Sequence, residues 1–303
     1  MAEDRWFKGN LHAHSTESDG DSSPGKVVEW YRDHGYDWVA LTDHNVRTVL
    51  RPEGTPGRSP LVLTGEEVTV DVEGQDKVVV VQGVNISEVV EPIDAGGVLA
   101  TIQANVDAVL KAGGLPCLLV LDDRPGFRTE SIQEIVGAPL LEIYNAKAAL
   151  DFQGDPASFG YEDTWDLFLS SGKVVYGVAT DDAHHFKEFG PEKVNPGDGW
   201  VVIRARELST SSIISSLSSG DFYASTGVVL RTLETTVEGI ALEISPAPGE
   251  TYRTTFVGQG GAPLDEQSGT RVGYRLRGGE GYARAVVYSS SGSKAWIQPV
   301  FQT

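Results

Sequence analysis

The sequence is poor in cysteine, in basic residues and in long apolar runs. Its single cysteine, Cys117, excludes a framework of intramolecular disulfides. Because Cys117 lies in the apolar run "LPCLLVL", we expect a buried structural thiol. No run approaches the ~18 apolar residues that a membrane span needs, so no membrane partner is expected. The first residues, "MAEDRWFKGN", lack the basic-then-apolar pattern of a signal peptide, which makes a cytoplasmic location the expectation.

Basic side chains are outnumbered: 24 Lys and Arg stand against 43 Asp and Glu, for a net charge of −19. A surface of this sign repels phosphate backbones, so nucleic acid is not an expected partner. The acidity accounts for solubility, and some of the carboxylates are also candidates for holding cations. At 40% hydrophobic and 22% charged residues, the composition is that of an ordinary globular protein.

Strand-like and helix-like segments alternate from the start of the chain to about residue 220. The strand-like runs are β-branched and continuous, which is typical of strands buried on both faces of a parallel sheet. Repeating strand–helix units predict an α/β fold, either a barrel or a doubly wound sheet. The candidate strands are "DWVALT", "LVLTGEEVTV", "KVVVVQGV", "PCLLVL", "PLLEIYN", "VVYGVAT" and "WVVIRA", and the candidate helices are "SSPGKVVEWYRDHG", "GVLATIQANVDAVLKAGG" and "STSSIISSLSSGD".

The pattern changes after residue 228. Residues 229–303 alternate polar and apolar side chains between Gly, Ser and Pro turns, and they show no helical periodicity. This predicts a small antiparallel, β-sandwich-like C-terminal domain, distinct from a domain at residues 1–228. Because residues 229–303 contain no histidine, we place the chemistry in the first domain.

Two of the six histidines, His12 and His14, stand two residues apart in "GNLHAHSTESDG". On an extended segment they point to the same side, and neutral imidazoles on one face are suited to chelating a metal ion. Asp19 follows within the same loop and offers an oxygen ligand.

Three further clusters fall at or near the ends of predicted strands. They are His44 in "LTDHN", Glu67 in "TGEEVT", and Asp182 with His184 in "TDDAHH". Each taken alone is more often a hydrogen-bonded structural residue than a ligand. Their ordered occurrence at strand ends, where active groups of α/β folds gather, predicts a metal site.

The segments "NLHAHSTESDG", "ALTDHN", "GEEV", "EIYN" and "DDAHH" resemble the polymerase-and-histidinol-phosphatase (PHP) superfamily of metallohydrolases over about residues 5–228. The tail segments "FYASTG" and "AWIQPVF" are similar to the bacterial branch that includes hydrolases of the carbaryl-hydrolase type. The resemblance implies a distorted (β/α)7 barrel with metal ions at the carboxyl ends of its strands.

The resemblance also implies ligands and roles. One ion would be held by His12, His14, Glu67 and Asp182. Asp19, His44 and His184 would hold a second ion or serve as catalytic proton-transfer groups. Further candidates, which would orient these ligands or contact substrate, are Asp181, His185, Glu142, Asn145, Arg124 and Arg128.

Members of the superfamily place a third ion between the glutamate and two further histidines. In this sequence Val78 and Val120 are taken to stand at those two positions, so a reduced centre of one or two divalent ions (Zn, Mn or Fe) is expected. Only Asp122 or Asp123 would restore a third site. The valines also favour a small-molecule substrate of apolar character.

The leading hypothesis is therefore a metal-dependent hydrolase of a small ester, carbamate or phosphoester. A second is a repurposed metal-assisted lyase, cyclase or isomerase of specialised metabolism, since one metal and one base suffice to polarise a carbonyl and move a proton. A third is a non-catalytic binding protein with a degenerate site.

Overall fold

The computed structural model describes residues 4–50, 60–75, 77–119, 131–151 and 161–302. Within these ranges the chain forms sixteen strands and five α-helices. The strands are β1 (Arg5–Asn10), β2 (Trp38–Leu41), β3 (Leu61–Asp71), β4 (Val78–Val84), β5 (Leu115–Leu118), β6 (Leu140–Asn145), β7 (Tyr176–Thr180), β8 (Trp200–Ala205), β9 (Phe222–Ser225), β10 (Leu230–Thr236), β11 (Gly239–Ile244), β12 (Tyr252–Val257), β13 (Pro263–Ser268), β14 (Arg271–Arg275), β15 (Tyr282–Ser289) and β16 (Lys294–Phe301). The helices are α1 (Pro24–Asp33), α2 (Val98–Lys111), α3 (Ala146–Asp151), α4 (Tyr161–Ser170) and α5 (Thr210–Ser219).

The fold is mixed α/β, with one large sheet and one small antiparallel sheet. The large sheet has the order β13-β12-β15-β16-β9-β8-β1-β2-β3-β4-β5-β6-β7, and the small one has the order β10-β11-β14. Strands β1, β2 and β3 run parallel, as do β5, β6 and β7. The predicted α/β class is confirmed at this level.

The parallel pairing expected of the continuous apolar strands does not hold for β8, which runs antiparallel to β1 and β9, or for β4. Strand β4 runs antiparallel to both β3 and β5. A crossover that makes two strands parallel needs a dozen or more residues, whereas only residues 72–77 separate β3 from β4. The short connection therefore makes β3 and β4 a hairpin.

On one side of the large sheet, the segments that follow three strands meet beside β3. Its continuous ladders end at β7 and do not close on β1. An isolated parallel bridge, Ala13 to Ala183, nevertheless joins the segments that follow β1 and β7. A second, His44 to Glu67, joins the end of β2 to β3. Residues that follow β1, β2 and β7 are thereby held beside β3.

The three candidate helices of the sequence are present in the structure as α1, α2 and α5. Pro24 opens α1, and Gly220 follows α5 in the left-handed conformation, with φ 75°. None of the helices in the described ranges is long and apolar enough to cross a bilayer. The Cys117 side chain is fully buried, as expected.

Strand β15 contributes alternate side chains to two cores, because successive residues of a strand point to opposite faces. Tyr282 and Val286 pack into the core that also holds Trp165 and Phe168 of α4. The interleaved side chains face the small sheet instead. Strand β9 pairs with both β8 and β16, so the large sheet continues across the predicted boundary at residue 228, and the domain division stays a prediction.

A buried ion pair joins β15 to α4. Arg284, only 2% exposed, donates from Nε and Nη2 to the two carboxylate oxygens of Asp166, both at 2.7 Å. Its Nη1 donates to Glu162 at 3.1 Å. Removing one partner of such a pair leaves the other charge buried without compensation, which is strongly destabilising.

We expect Arg284→Met to lower the free energy of unfolding by about 3–5 kcal/mol, because Asp166 remains buried without a cationic partner and keeps only the hydrogen bond from Tyr282 Oη. The matched control is Arg253→Met, whose partner Glu266 is exposed; it should cost less than about 1 kcal/mol. Urea denaturation of both variants measures the difference. Equal losses would show that the buried pair does not hold the C-terminal strands to α4.

Candidate metal centre

All seven residues that the sequence assigned as metal ligands lie together. His12 and His14 follow β1, and Asp19 lies in the next loop. His44 follows β2, and Glu67 lies in β3. Asp182 and His184 follow β7. The two isolated bridges described above bring these segments into one place.

Four of the seven form a buried inner group, which we define as His12, His14, Glu67 and Asp182. The two Nε2 atoms of the histidines are 3.0 Å apart. His12 Nε2 lies 3.3 Å from Glu67 Oε1 and from Asp182 Oδ1. His14 Nε2 lies 3.2 Å from Glu67 Oε2 and from Asp182 Oδ1. No side chain of the group is more than 4% exposed.

The other three, Asp19, His44 and His184, form an outer group next to His14. Asp19 Oδ2 lies 3.3 Å from His184 Nε2 and 3.6 Å from His44 Nε2. The Asp19 side chain is 54% exposed and that of His44 is 34% exposed. The His184 ring stacks on His14 with a centroid separation of 4.2 Å. The outer group thus lies at the solvent-accessible side of the centre.

Two imidazoles have a tautomer fixed by an atom that can only accept. His12 Nδ1 is 2.9 Å from Glu142 Oε1, and His184 Nδ1 is 2.7 Å from the backbone oxygen of Asp182. Ionised carboxylate and carbonyl oxygens have no proton to give, so each Nδ1 donates. The Nε2 atoms of His12 and His184 are therefore available as acceptors.

The other two imidazoles are fixed through hydroxyls. His14 Nδ1 is 3.3 Å from Ser18 Oγ, which itself donates to Asp43 Oδ1 at 2.8 Å. His44 Nδ1 is 2.8 Å from Thr69 Oγ1, which donates to the Glu67 backbone oxygen at 3.2 Å. A hydroxyl whose proton is already used can only accept, so both Nδ1 atoms donate. In its neutral form, each of the four imidazoles therefore presents an unprotonated Nε2 to the centre.

The convergence of acceptors fits a divalent metal ion. Glu67 Oε2, Asp182 Oδ1 and His184 Nε2 are buried and find no hydrogen-bond donor among the described residues. His44 Nδ1 lies 2.9 Å from Glu67 Oε2, but in a geometry that makes no hydrogen bond. Metal–ligand distances of about 2.0–2.2 Å place neighbouring ligand atoms about 3.0–3.5 Å apart, which is the spacing of the inner group.

The backbone at Asp182 adopts a strained conformation. Its φ is +50°, in the left-handed region that non-glycine residues seldom adopt. Strain of this kind persists where surrounding contacts hold it and is frequent at ligand clamps. Here it turns the Asp182 carboxylate toward His12 and His14.

The charges of the centre depend on one another. Burial alone would lower the pKa of His12, but the carboxylates of Asp182 and Glu67 raise it well above its usual value. His44 is opposed by burial in the same way, yet Asp19 and Glu67 raise its pKa to about 10. Burial would raise the pKa of Glu67, and the imidazoles lower it well below its usual range. Without a metal ion, His12 and His44 therefore take up a second proton, on the Nε2 atoms that face the carboxylates.

Among the remaining candidates, Glu142 and Asn145 contact the inner group: Glu142 accepts from His12, and Asn145 Nδ2 lies 3.2 Å from Asp182 Oδ2. Asp181 accepts from Tyr31 Oη and from the Gly199 backbone instead, and burial raises its pKa to about 6.

His185 lies outside the two groups. Its Nδ1 accepts from the Val194 backbone nitrogen at 3.2 Å, which ties it to the following loop. Arg124 and Arg128 lie outside the described residues, as do Val120, Asp122 and Asp123.

The assignment of Val78 to a lost ligand position is wrong. Val78 pairs with Asp71 at the far end of the hairpin and is 39% exposed. Because β4 is antiparallel to β3, the residue opposite Glu67 is Gln82, which is fully buried and donates to Glu142 at 3.2 Å. The β4 wall of the site is polar at this point, so Val78 gives no support for an apolar substrate.

Sequence reasoning also missed Asp43 as a support. This fully buried carboxylate accepts from the Ser15 backbone nitrogen at 2.7 Å and from the hydroxyls of Ser15, Ser18 and Thr48. It thereby fixes the loop that carries His14. Its position directly before His44 in "LTDHN" was the available signal.

We expect metal binding to release protons, because the ion displaces them from imidazoles whose pKa values are raised. The apparent affinity for Zn²⁺ should therefore rise with pH between 6 and 8. Titration calorimetry in buffers of different ionisation enthalpy measures the number of protons released. Binding that releases none, with an affinity independent of pH, would show that the Nε2 atoms are not the ligands.

No family model and no curated protein matches the sequence. Among solved structures, a two-domain protein from Bacteroides vulgatus containing a predicted PHP-like metal-dependent phosphoesterase is similar. It is 15% identical, with a TM-score of 0.52, and the alignment covers 97% of this chain and 95% of that one. At this identity the similarity concerns the fold alone.

Two further structures align less well. One is a predicted metal-dependent phosphoesterase from Bifidobacterium adolescentis, 16% identical with a TM-score of 0.43 over 69% of this chain and 95% of that one. The other is an amidohydrolase from Chromobacterium violaceum with bound sulfate and no metal, 15% identical with a TM-score of 0.40 over 61% and 93%.

Proposed function

We propose that this protein is a metal-dependent hydrolase of the PHP type, acting on a small ester, carbamate or phosphoester. The observation that carries the proposal is the set of four imidazoles whose Nδ1 atoms are anchored and whose Nε2 atoms converge with carboxylate oxygens. In this proposal the first seven strands form the distorted barrel of that superfamily. Its hydrogen-bonded ladders stay open between β7 and β1.

The inner group, His12, His14, Glu67 and Asp182, would hold one divalent ion. The outer group, Asp19, His44 and His184, would hold a second together with His14, since the ligand atoms of these four residues lie within 4.8 Å of one another. Nitrogen and oxygen donors of this kind suit Zn, Mn and Fe alike.

When bound, such ions supply Lewis-acid polarisation of a carbonyl or phosphoryl group and lower the pKa of water. The chain's own contribution is orientation and access. Burial of the inner group keeps solvent away from four of the ligands, whereas exposed Asp19 marks the side where a small substrate can approach. With only the inner ion bound, His44 Nε2 and His184 Nε2 would instead be free to hold a proton during the reaction.

The test combines metal analysis with hydrolysis. The purified chain should contain one or two divalent ions, and it should hydrolyse at least one substrate in a panel of phosphoesters, carboxylic esters and carbamates. Asp182→Asn keeps a residue that tolerates the left-handed backbone but removes the charge. We expect it to lower both metal content and activity, the latter by about 100-fold or more.

The matched control is Asp221→Asn, which alters an aspartate paired with Arg204 and should change neither quantity. Metal retained at full stoichiometry, with no hydrolysis of any class, would exclude the hydrolase and favour the non-hydrolytic alternatives. Failure to bind Zn²⁺, Mn²⁺ or Fe²⁺ would exclude a metalloenzyme.

A further inference from the structure

The carboxylate of Glu142 contacts the inner group from behind: it binds Nδ1 of His12, whereas Nε2 of His12 faces the carboxylates of the group. Glu142 lies in β6 and is 1% exposed. Its Oε1 accepts from His12 Nδ1 at 2.9 Å, from Thr180 Oγ1 at 2.9 Å and from Gln82 Nε2 at 3.2 Å. Three donors on one oxygen, from three separate parts of the sheet, define its position closely.

The second oxygen of Glu142 reaches another member of the inner group through Asn145. Asn145 Nδ2 donates to Glu142 Oε2 at 2.9 Å and to Asp182 Oδ2 at 3.2 Å. Asn145 Oδ1 accepts from the Ala148 backbone nitrogen at 3.0 Å, which fixes the amide in this orientation. One carboxylate is thus connected to a histidine and to an aspartate of the same group.

The charge of Glu142 is also compensated through this connection. Of its four side-chain donors, three are neutral hydroxyl or amide groups, and the fourth is His12. A buried carboxylate bound only to neutral donors is costly unless a cation lies near. The cation that balances this negative charge is therefore the one bound at Nε2 of His12, either a proton or a metal ion.

We propose that Glu142 is a positioning residue for the inner metal ion. It holds His12 in the Nδ1–H tautomer directly, and it orients the carboxylate of Asp182 through Asn145. A carboxylate that accepts from a ligating histidine raises the basicity of that ligand and fixes its ring. This inference rests on the proposed metal function of the inner group and extends it to a residue outside the group.

The variant Glu142→Gln tests the assignment with little change in shape. A carboxamide has one accepting oxygen, so it cannot accept from His12 and from Asn145 together. With three donors on the Oε1 side, the oxygen should remain there and the amide nitrogen should face Asn145. The link to Asp182 is then lost, and the acceptor of His12 becomes neutral.

We expect Glu142→Gln to bind Zn²⁺ about 10–100-fold more weakly than the wild type, measured by competition with a chromophoric chelator. The proton resonance of His12 Nδ1–H, assigned in the ¹⁵N-labelled full chain, should move upfield because its acceptor has lost its charge. A residue with only a structural role would lower the unfolding temperature without shifting this resonance selectively.

The matched control is Glu66→Gln. Glu66 precedes Glu67 in β3, is equally buried, and accepts from the Val90 backbone nitrogen, away from the imidazoles. It should leave both the Zn²⁺ affinity and the His12 resonance unchanged. Equal losses of affinity in the two variants would overturn the proposal.

A second variant, Asn145→Ala, covers the case in which Glu142→Gln does not fold. It removes the link to Asp182 and retains the bond between Glu142 and His12, so affinity should fall while the Nδ1–H resonance stays in place. Unchanged affinity would overturn the role of Asn145. If the wild type itself binds no metal, the proposed function fails. If the wild type binds Zn²⁺ and the variants bind it with the same affinity, only this inference fails.

Discussion

Acceptor atoms that face one another in a space closed to water need a cation between them. In the inner group two imidazole nitrogens and two carboxylates meet at 3.0–3.3 Å, and their other atoms are already bound to protein donors or acceptors. Protons or a metal ion meet this requirement; removal of both would leave lone pairs opposed at low dielectric. The hydrogen bonds around the centre hold the imidazoles and carboxylates in place, so the need for a cation persists.

Those supports come from several strands, which makes the centre a property of the sheet rather than of one motif. Glu142 of β6 fixes His12, the Asp43 carboxylate fixes the loop of His14, and Thr69 of β3 fixes His44. Each support is a short-range hydrogen bond, yet the residues it joins are far apart in the chain. Correct strand pairing is therefore a condition for the site, and the site in turn adds polar contacts that specify this pairing.

Part of the candidate ligand set could be predicted from a local rule, because side chains two residues apart on an extended segment share a face, as His12 and His14 do. The assignment of the other candidates to ions depended on the resemblance. The partner of Glu67 could not be predicted, because it depends on strand direction. The resemblance led to Val78, whereas the short hairpin brings Gln82 opposite Glu67. The role of Asp43 could not be predicted for a related reason: it depends on three hydroxyl groups that come together around Asp43 only in the folded chain.

The charges favour two ions over three in the proposed centre. Four carboxylates contact the four imidazoles: Glu67, Asp182, Asp19 and Glu142. With the imidazoles neutral, as ligands must be, these carboxylates carry four negative charges, which two divalent ions balance. A third divalent ion would leave an excess of two positive charges, and the β4 side chain beside Glu67, Gln82, is a neutral amide that brings no compensating charge.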